Sequence, residues 1–216
     1  NETQAPKHHR VDYNTPRIHH FVMDFDCKDF KNRGVDVPFE IPHSEVISLH
    51  RHLSKNNIEH FVWFTGGGFH VWVPLSETIE PADGSELSRV KYSGRVLINR
   101  WEKVLSPFRC NDPTVAFDTS GMIRIPNSFN AKRDCWTIPL TSEELTTLTY
   151  DGLMDKAMVP HTGYISMGGE RLDFEIIQSP LMTMTDIKPV DLPTVAYDDI
   201  HILPCLAQAA MNGGNP

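Results

Sequence analysis

The stretch His19-His20-Phe21-Val22-Met23-Asp24-Phe25-Asp26 decides how the rest of the chain is interpreted. Its short apolar run predicts a buried strand, with polar positions coming to the surface at its end. Side chains at i and i+2 of a strand share a face, so the two carboxylates are expected together, ~7 Å apart at Cα. Such a pair repels when ionised, and a shared Mg²⁺ or Mn²⁺ ion removes that repulsion. A lone Asp-x-Asp is, however, more often a strand end with two solvated acids.

A second motif, Thr65-Gly66-Gly67-Gly68-Phe69-His70, joins two further apolar runs. Glycines allow backbone N–H groups to approach an anion, and a histidine heading the next strand could donate to a phosphate oxygen. A tight turn followed by a hydrogen-bonded core histidine explains the same residues equally well. The motif is not a Walker loop, because no Gly-Lys-Ser/Thr follows.

The third motif begins at Asp118, an acid at the end of an apolar run. Residues 119–133 then contain three basic residues and no acidic one, a local charge of +3 in a chain whose net charge is −8. Arginine forks and lysine point charges suit a polyphosphate, and a solvated surface loop is the alternative. From residue 124 onward, the segment's polar and basic residues are Arg124, Asn127, Ser128, Asn130, Lys132 and Arg133.

These three motifs, in this order, resemble the archaeo-eukaryotic primase family over about residues 18–140. Arg124, Pro126, Ser128 and Lys132 match the Arg-x-Pro-x-Ser…Lys pattern of the catalytic small subunits. Thr65 stands where the family usually has serine, and the short glycine turn is more similar to that of plasmid- and virus-encoded primases. Asn130 stands where cellular small subunits often have histidine, and their zinc knuckle has no counterpart here.

The resemblance implies an α+β fold, the archaeo-eukaryotic primase catalytic fold, with mixed sheets flanked by helices and an RRM-like half. It implies a DNA primase-polymerase that transfers a nucleotide from NTP or dNTP to a 3′-hydroxyl on a single-stranded DNA template, making primers for replication. Two Mg²⁺ or Mn²⁺ ions would be its cofactors, held by Asp24, Asp26 and Asp118. The implied nucleotide-binding residues are Thr65, Gly66, Gly67, Gly68, His70, Arg124, Ser128, Asn130 and Lys132.

Other functions remain open at this stage. An end-joining, gap-filling or template-independent polymerase of the same family would carry the same motifs. A non-catalytic nucleic-acid-binding module and a metal-dependent nuclease are the remaining classes, disfavoured by the acid triad and by segment 124–132 respectively. Asp173 and Glu175 form a rival acid pair, expected at a solvated strand edge. Asp29 is expected in solvent, and the tryptophans are expected in the core.

The composition is typical of a globular protein: of the 216 residues, 40% are hydrophobic and 22% are charged. No apolar run approaches the ~18 residues of a membrane span. The resemblance to the primase family implies a cytoplasmic protein acting at replicating DNA. Strands and helices without regular βαβ alternation favour an α+β class. We expect an arm over 1–17, a catalytic domain over 18–185, and over 186–216 a linker and the start of a helical, large-subunit-like domain. We also expect the chain to be a piece of a longer protein.

The four cysteines, Cys27, Cys110, Cys135 and Cys205, have no Cys-x-x-Cys spacing, so reduced thiols are expected and zinc is not. Pro204-Cys205 resembles the start of the iron–sulfur domain of primase large subunits. The other cluster ligands would lie beyond Pro216, so a large-subunit-like partner would be supplied by the same polypeptide or in trans.

The local patterns predict the remaining elements. They are a loop over 28–42, a helix over 44–57 capped by Ser44, strands over 61–65 and 70–73, a helix from the capping box 83–86 to about 105, strands over 115–118 and 122–125, a helix starting at 141, and a hairpin of 165–167 with 172–177.

Overall fold

The computed structural model describes residues 15–119 and 122–177. The strands are β1 (Ile18–Asp26), β2 (Lys28–Asp29), β3 (Val35–Asp36), β4 (Phe61–Phe64), β5 (Gly68–Ile79), β6 (Phe129–Asn130), β7 (Cys135–Trp136) and β8 (Ile138–Pro139). The helices are α1 (Glu40–Lys55), α2 (Gly84–Val104), α3 (Ser142–Thr147) and α4 (Tyr150–Ala157). The predicted segment 186–216, with Cys205, lies outside the described residues, as does most of the predicted arm.

Four of the described strands form the central sheet, in the order β1-β5-β4-β8, and every neighbouring pair is antiparallel. Helices pack beside this sheet, and the predicted α+β class is confirmed. Along β1 the side chains of Phe21, Met23 and Phe25 are fully buried. Asp24 and Asp26 alternate with them and are only half-buried, so both lie on the other face of the sheet.

Helix α1 begins four residues earlier than predicted, and the expected loop 28–42 contains the β2–β3 hairpin. Ser44 is not the N-cap: its hydroxyl donates to the carbonyl of Ile41, 2.8 Å away, inside the first turns. Pro42 is tolerated because the first N–H groups of a helix have no intrahelical acceptor. The predicted apolar face is correct, since Val46, Leu49 and Leu53 are buried.

The predicted helix after Asp83 is confirmed as α2. The Asp83 carboxylate accepts from the Glu86 N–H at 2.8 Å, which is half of the expected capping box. The other half differs, because the Glu86 carboxylate accepts from Ala82 N–H rather than from the cap residue. Trp101 is buried on the core side of α2, whereas Val104, predicted on the same face, is exposed.

Two strand predictions are wrong. Residues 113–117 form turns, with Asp118 N–H donating to the carbonyl of Val115, and residues 122–125 pair with no strand. The late hairpin is also absent, because Leu172 pairs in parallel with Leu75 of β5 instead of with residues 165–167. The helix predicted from residue 141 is confirmed as α3, with a complete capping box between Thr141 and Glu144. No helix among the described residues is long and apolar enough to cross a bilayer.

Candidate active site

A polar cavity of about 440 Å³ opens where β1 ends beside the start of β5. Most of the residues predicted to act in the site line it, together with residues from the basic segment. The predicted residues at this cavity are Asp24, Asp26, Thr65, Gly67, His70, Arg124, Asn130 and Lys132. We call this space the acidic–basic cavity, because both carboxylates and cations line it.

Asp24 and Asp26 enter the cavity from the open face of β1, where Asp24 is paired with His70 and Asp26 with Gly68 of β5. Burial raises the pKa of Asp24 from 3.8 to about 7, and the nearby carboxylates of Asp26 and Asp112 add to the increase. Burial likewise raises the pKa of Asp26. The pair therefore resists full ionisation, and a divalent cation between oxygen donors of this kind would remove the cost.

His70 is held as a neutral imidazole beside this pair. Its side chain is almost entirely enclosed, and burial lowers its pKa to about 4, with Arg124 acting in the same direction. The Nε2 atom lies 3.5 Å from Asp24 Oδ1. Because the ring is neutral at pH 7, this contact is not an ion pair. The Nδ1 atom is buried without a hydrogen-bond partner among the described residues. An unpaired polar atom beside a cavity is available to a ligand.

The three glycines before His70 have different roles. Gly66 has a positive φ of +87°, and the built Cβ of Gly68 would lie 2.0 Å from the carbonyl oxygen of Phe25, so both positions need glycine for the path of the backbone. Gly67 lines the cavity, with the guanidinium of Arg133 lying over it. Only one of the three predicted glycine contacts is therefore at the cavity wall.

The β6–β7 hairpin carries two of the cavity's cations, Lys132 and Arg133, and Asn130 connects the hairpin to the glycine turn by a hydrogen bond. The buried Asn130 amide donates to the carbonyl of Thr65 at 2.6 Å, and its Oδ1 accepts from Lys132 N–H at 3.2 Å. The N–H of Arg133 donates to the Asn130 carbonyl at 3.0 Å. Asn130 lines the cavity, and these bonds give it a positioning role that the sequence did not predict.

Ser128 lies outside the acidic–basic cavity. Its hydroxyl donates to the carbonyl of Ile125 at 2.5 Å within the turn before β6. Arg124, four residues earlier, lines the cavity, and its positive charge lowers the pKa values of both Asp24 and His70.

Asp118 lines a neighbouring cavity of about 590 Å³. Asp24 lines both cavities, so among the predicted carboxylates it shares one cavity with Asp26 and the other with Asp118. Asp118 Oδ1 lies 4.0 Å from the ammonium of Lys91. Within residues 15–119 and 122–177, no three Asp, Glu, His or Cys side chains come together as a metal-binding group.

The charged residues that were not predicted for the site include Lys28, Asp36 and Arg133 at the acidic–basic cavity and Asp112 at the neighbouring cavity. Lys28 and Arg133 line the acidic–basic cavity and lower the pKa of Asp26. Arg133 lies in the basic segment, so local charge was a usable signal for it. Asp112 had no signal, because its place depends on residues 110–112 running beside β1, where Asp112 N–H donates to the Asp24 carbonyl at 2.8 Å.

The expectation that Asp29 is solvated is wrong. Its side chain is buried, and Oδ2 accepts from Arg109 Nε at 2.9 Å and Nη2 at 2.6 Å. Oδ1 accepts from the N–H groups of Lys31 and Asn32 at 3.0 Å each. These bonds, above all the one from Arg109, lower the pKa of Asp29. Asp29 therefore fixes the turn after β1 and does not contribute to the cavity.

The sequence analysis also made expectations about the tryptophans, the acid pair at residues 173 and 175, and the cysteines. Trp63 and Trp101 are buried as predicted, whereas Trp72 and Trp136 are half-buried. Asp173 and Glu175 are exposed. The three described cysteines are free thiols.

No known family model matches this chain, and no curated protein sequence matches it. Among solved structures, the chain is similar to the polymerase domain of Mycobacterium tuberculosis Ligase D in complex with DNA, with a TM-score of 0.46 and 16% sequence identity. The match covers 70% of this chain and 55% of that domain's chain, so it spans about half of the similar structure.

Proposed function

We propose that this chain is the catalytic domain of a metal-dependent DNA primase-polymerase. It would transfer a nucleotide from NTP or dNTP to a 3′-hydroxyl on a single-stranded DNA template and so synthesise primers. The observation that carries the proposal is a single cavity lined by Asp24 and Asp26 together with Arg124, Lys132 and Arg133. Its volume of about 440 Å³ is within the range of small-molecule sites, roughly 300–1,000 Å³.

The carboxylates fit a hard divalent cation. Mg²⁺ is commonly bound by one or two protein carboxylates plus water and substrate phosphates, so Asp24 and Asp26 are a sufficient protein contribution to a first ion. Burial is the main cause of their raised pKa values, and a bound cation would favour the ionised carboxylates. Asp118 lines the neighbouring cavity, which Asp24 also lines, and is the proposed third ligand, although the described residues do not bring it into one group with Asp24 and Asp26. Bound Mg²⁺ or Mn²⁺ would lower the pKa of the attacking hydroxyl and neutralise charge on the phosphates.

The cations of the cavity fit the triphosphate. Arginine can make two parallel hydrogen bonds to phosphate oxygens, and lysine supplies a point charge. Arg124, Lys132 and Arg133 would hold the β- and γ-phosphates and stabilise the charge that collects on the departing pyrophosphate. His70, neutral at physiological pH, would donate an N–H to a phosphate oxygen without adding a fixed charge. Template pairing would then select the base, and the protein would need only backbone contacts to the nucleic acid.

The test is incorporation of a labelled nucleotide with Mn²⁺ or Mg²⁺ on primed and unprimed single-stranded templates. The proposal expects dinucleotide or longer products without a primer, and loss of product in Asp24→Asn and Asp26→Asn. The matched control is Asp173→Asn, which neutralises an exposed acid away from the cavity and should leave activity unchanged. Product on the primed template but none on the unprimed template would limit the function to polymerisation. Failure to bind the triphosphate with metal present would overturn the proposal.

A further inference from the structure

We propose that the outward face of the β6–β7 hairpin, formed by Phe129 and Trp136, is a stacking platform for an unpaired base of single-stranded nucleic acid. The proposal rests on the proposed function, because that function requires a template strand next to the acidic–basic cavity. It adds a binding surface that neither the motifs nor the cavity identifies. We call this surface the hairpin platform.

The hairpin has an inner and an outer face. Asn130 and Cys135 are paired across the strands and are both buried against the glycine turn. Phe129 and Trp136 form the next cross-strand pair, so they point to the opposite face. Phe129 is 46% exposed and Trp136 is half-buried. Trp136 packs in part against the hydrophobic core, whereas Phe129 does not, so Phe129 is the exposed member of the pair without a role in the core.

The two aromatic rings leave room for a base. Their centroids are 5.4 Å apart and their planes are inclined by 64°, so one ring meets the other edge-on. In an edge-on pair the edge of one ring covers one face of the other, and the pair itself leaves the remaining ring faces open, whereas a stacked pair covers a face of each ring. A ring face that remains open is the part of an aromatic side chain that stacks on a nucleobase.

Positive charge next to the hairpin platform would attract the phosphates of a bound nucleic-acid strand. The tip of the hairpin carries Lys132 and Arg133, both at the wall of the acidic–basic cavity. Phe129 is three residues before Lys132, so the two lie within ~10 Å along the chain. A basic edge beside exposed aromatic rings is the combination that binds single strands without sequence preference, since every base has a π-face. The hairpin turn carries two cations, Lys132 and Arg133, against one exposed acid, Asp134, so its net charge is positive and favours a phosphate backbone.

The same segment presents further apolar surface. Met122 and Ile125 are strongly exposed, and Met122 also lines both cavities next to Asp24. These side chains can contact bases or sugars without hydrogen bonds, so they would extend the contact toward the reacting end of the strand. A protein partner would be the other occupant of an apolar surface, but the adjoining cations favour an anionic strand over an uncharged protein face.

The experiment measures binding of a fluorescently labelled oligo-dT to the full chain by anisotropy, without metal or nucleotide. Phe129→Ala should weaken binding on the order of 10-fold, since one stacked base typically contributes about that much. Phe129→Trp should restore binding, and Phe129→Leu, which keeps most of the volume, should not. The control is Tyr92→Ala, which removes an aromatic ring of nearly equal exposure, 45%, from helix α2. Circular dichroism of each variant should show an unchanged fold.

A second readout detects the stack itself. An oligonucleotide carrying 5-iodouracil should form a photo-crosslink to Phe129 or Trp136, located by mass spectrometry, and the yield should fall in Phe129→Leu. Unchanged DNA affinity in Phe129→Ala, or no binding by the wild-type chain, would overturn the proposal. So would a change from dimer to monomer in Phe129→Ala with DNA affinity intact, which would identify a protein interface. Binding of Mn²⁺ and dNTP, measured separately, reports on the proposed function and should be unaffected in Phe129→Ala.

Discussion

Replacing Asp24 by asparagine should make the metal-free protein more stable while abolishing its proposed activity. The pKa of this carboxyl is raised from 3.8 to about 7, mainly by burial. The folded state therefore binds the Asp24 proton more tightly than the unfolded state. It follows that the folded state loses stability as pH rises from about 4 to 7, where only the unfolded chain ionises freely. Asparagine has nearly the same shape and no charge, so it avoids this loss.

The size of the effect follows from the shift. About three pKa units at 1.36 kcal/mol each give an upper limit of ~4 kcal/mol above pH 7. The side chain retains 21% of its exposure, so part of the carboxylate remains solvated. We therefore expect Asp24→Asn to raise the free energy of unfolding by ~2–4 kcal/mol at pH 8 and by almost nothing at pH 4.

The assay is urea denaturation in EDTA at a series of pH values, with Asp173→Asn as the exposed control that should remain within ~0.5 kcal/mol of wild type. Adding Mn²⁺ should stabilise the wild-type chain and leave Asp24→Asn unchanged, because a ligand stabilises only a state that binds it. An Asp24→Asn protein that is less stable than wild type at pH 8, or a difference that does not vary with pH, would refute the reasoning.

Four further predictions concern separate parts of the fold. Burial lowers the pKa of His60 to about 4, and its Nδ1 lies 2.8 Å from the carbonyl oxygen of Ile58. The stability that the neutral ring contributes should be complete above pH 6.5 and should fall by ~3 kcal/mol as the pH drops to 4. NMR should find this imidazole neutral at pH 5.5. Gly68→Ala should destabilise the chain by more than ~2 kcal/mol in thermal unfolding, because its Cβ would lie 2.0 Å from backbone oxygen, whereas Gly152→Ala meets only ordinary contacts and should be tolerated. Asn130→Ala should cost ~1–3 kcal/mol in urea unfolding by leaving the Thr65 carbonyl unpaired; no loss would contradict its positioning role. Arg133→Ala should weaken dNTP binding on the order of 10-fold in calorimetry with stability unchanged, and equal affinity would remove Arg133 from the site.

Local patterns were sufficient to predict parts of the fold whose partners lie nearby in sequence. The alternation in β1 predicted which side Asp24 faces, because a strand with one buried face fixes its own orientation. Asp83 and Thr141 each satisfied the first N–H groups of the helix that follows, so the starts of α2 and α3 were visible in the sequence. The first turn of α1 was missed because its N-cap, Phe39, makes no side-chain cap.

Long-range pairing accounts for what the sequence could not predict. The apolar residues near Leu172 do alternate, but their partner is Leu75, almost a hundred residues earlier. Asp29 carries no local sign that Arg109 will bind it. The place of Asp112 is set by backbone bonds to β1. Such contacts depend on the assembled sheet, and no spacing rule along one segment specifies them.

Electron paramagnetic resonance of Mn²⁺ binding in the presence of a dNTP tests the central claim most directly, because the claim is that these carboxylates and cations form one metal–triphosphate site. We predict two bound Mn²⁺ ions per chain with nucleotide present, weaker binding without it, and loss of the signal from bound ions in Asp24→Asn/Asp26→Asn. Asp173→Asn should bind as wild type does. Equal Mn²⁺ binding by wild type and the double variant would contradict the account, since the ions would then lie elsewhere.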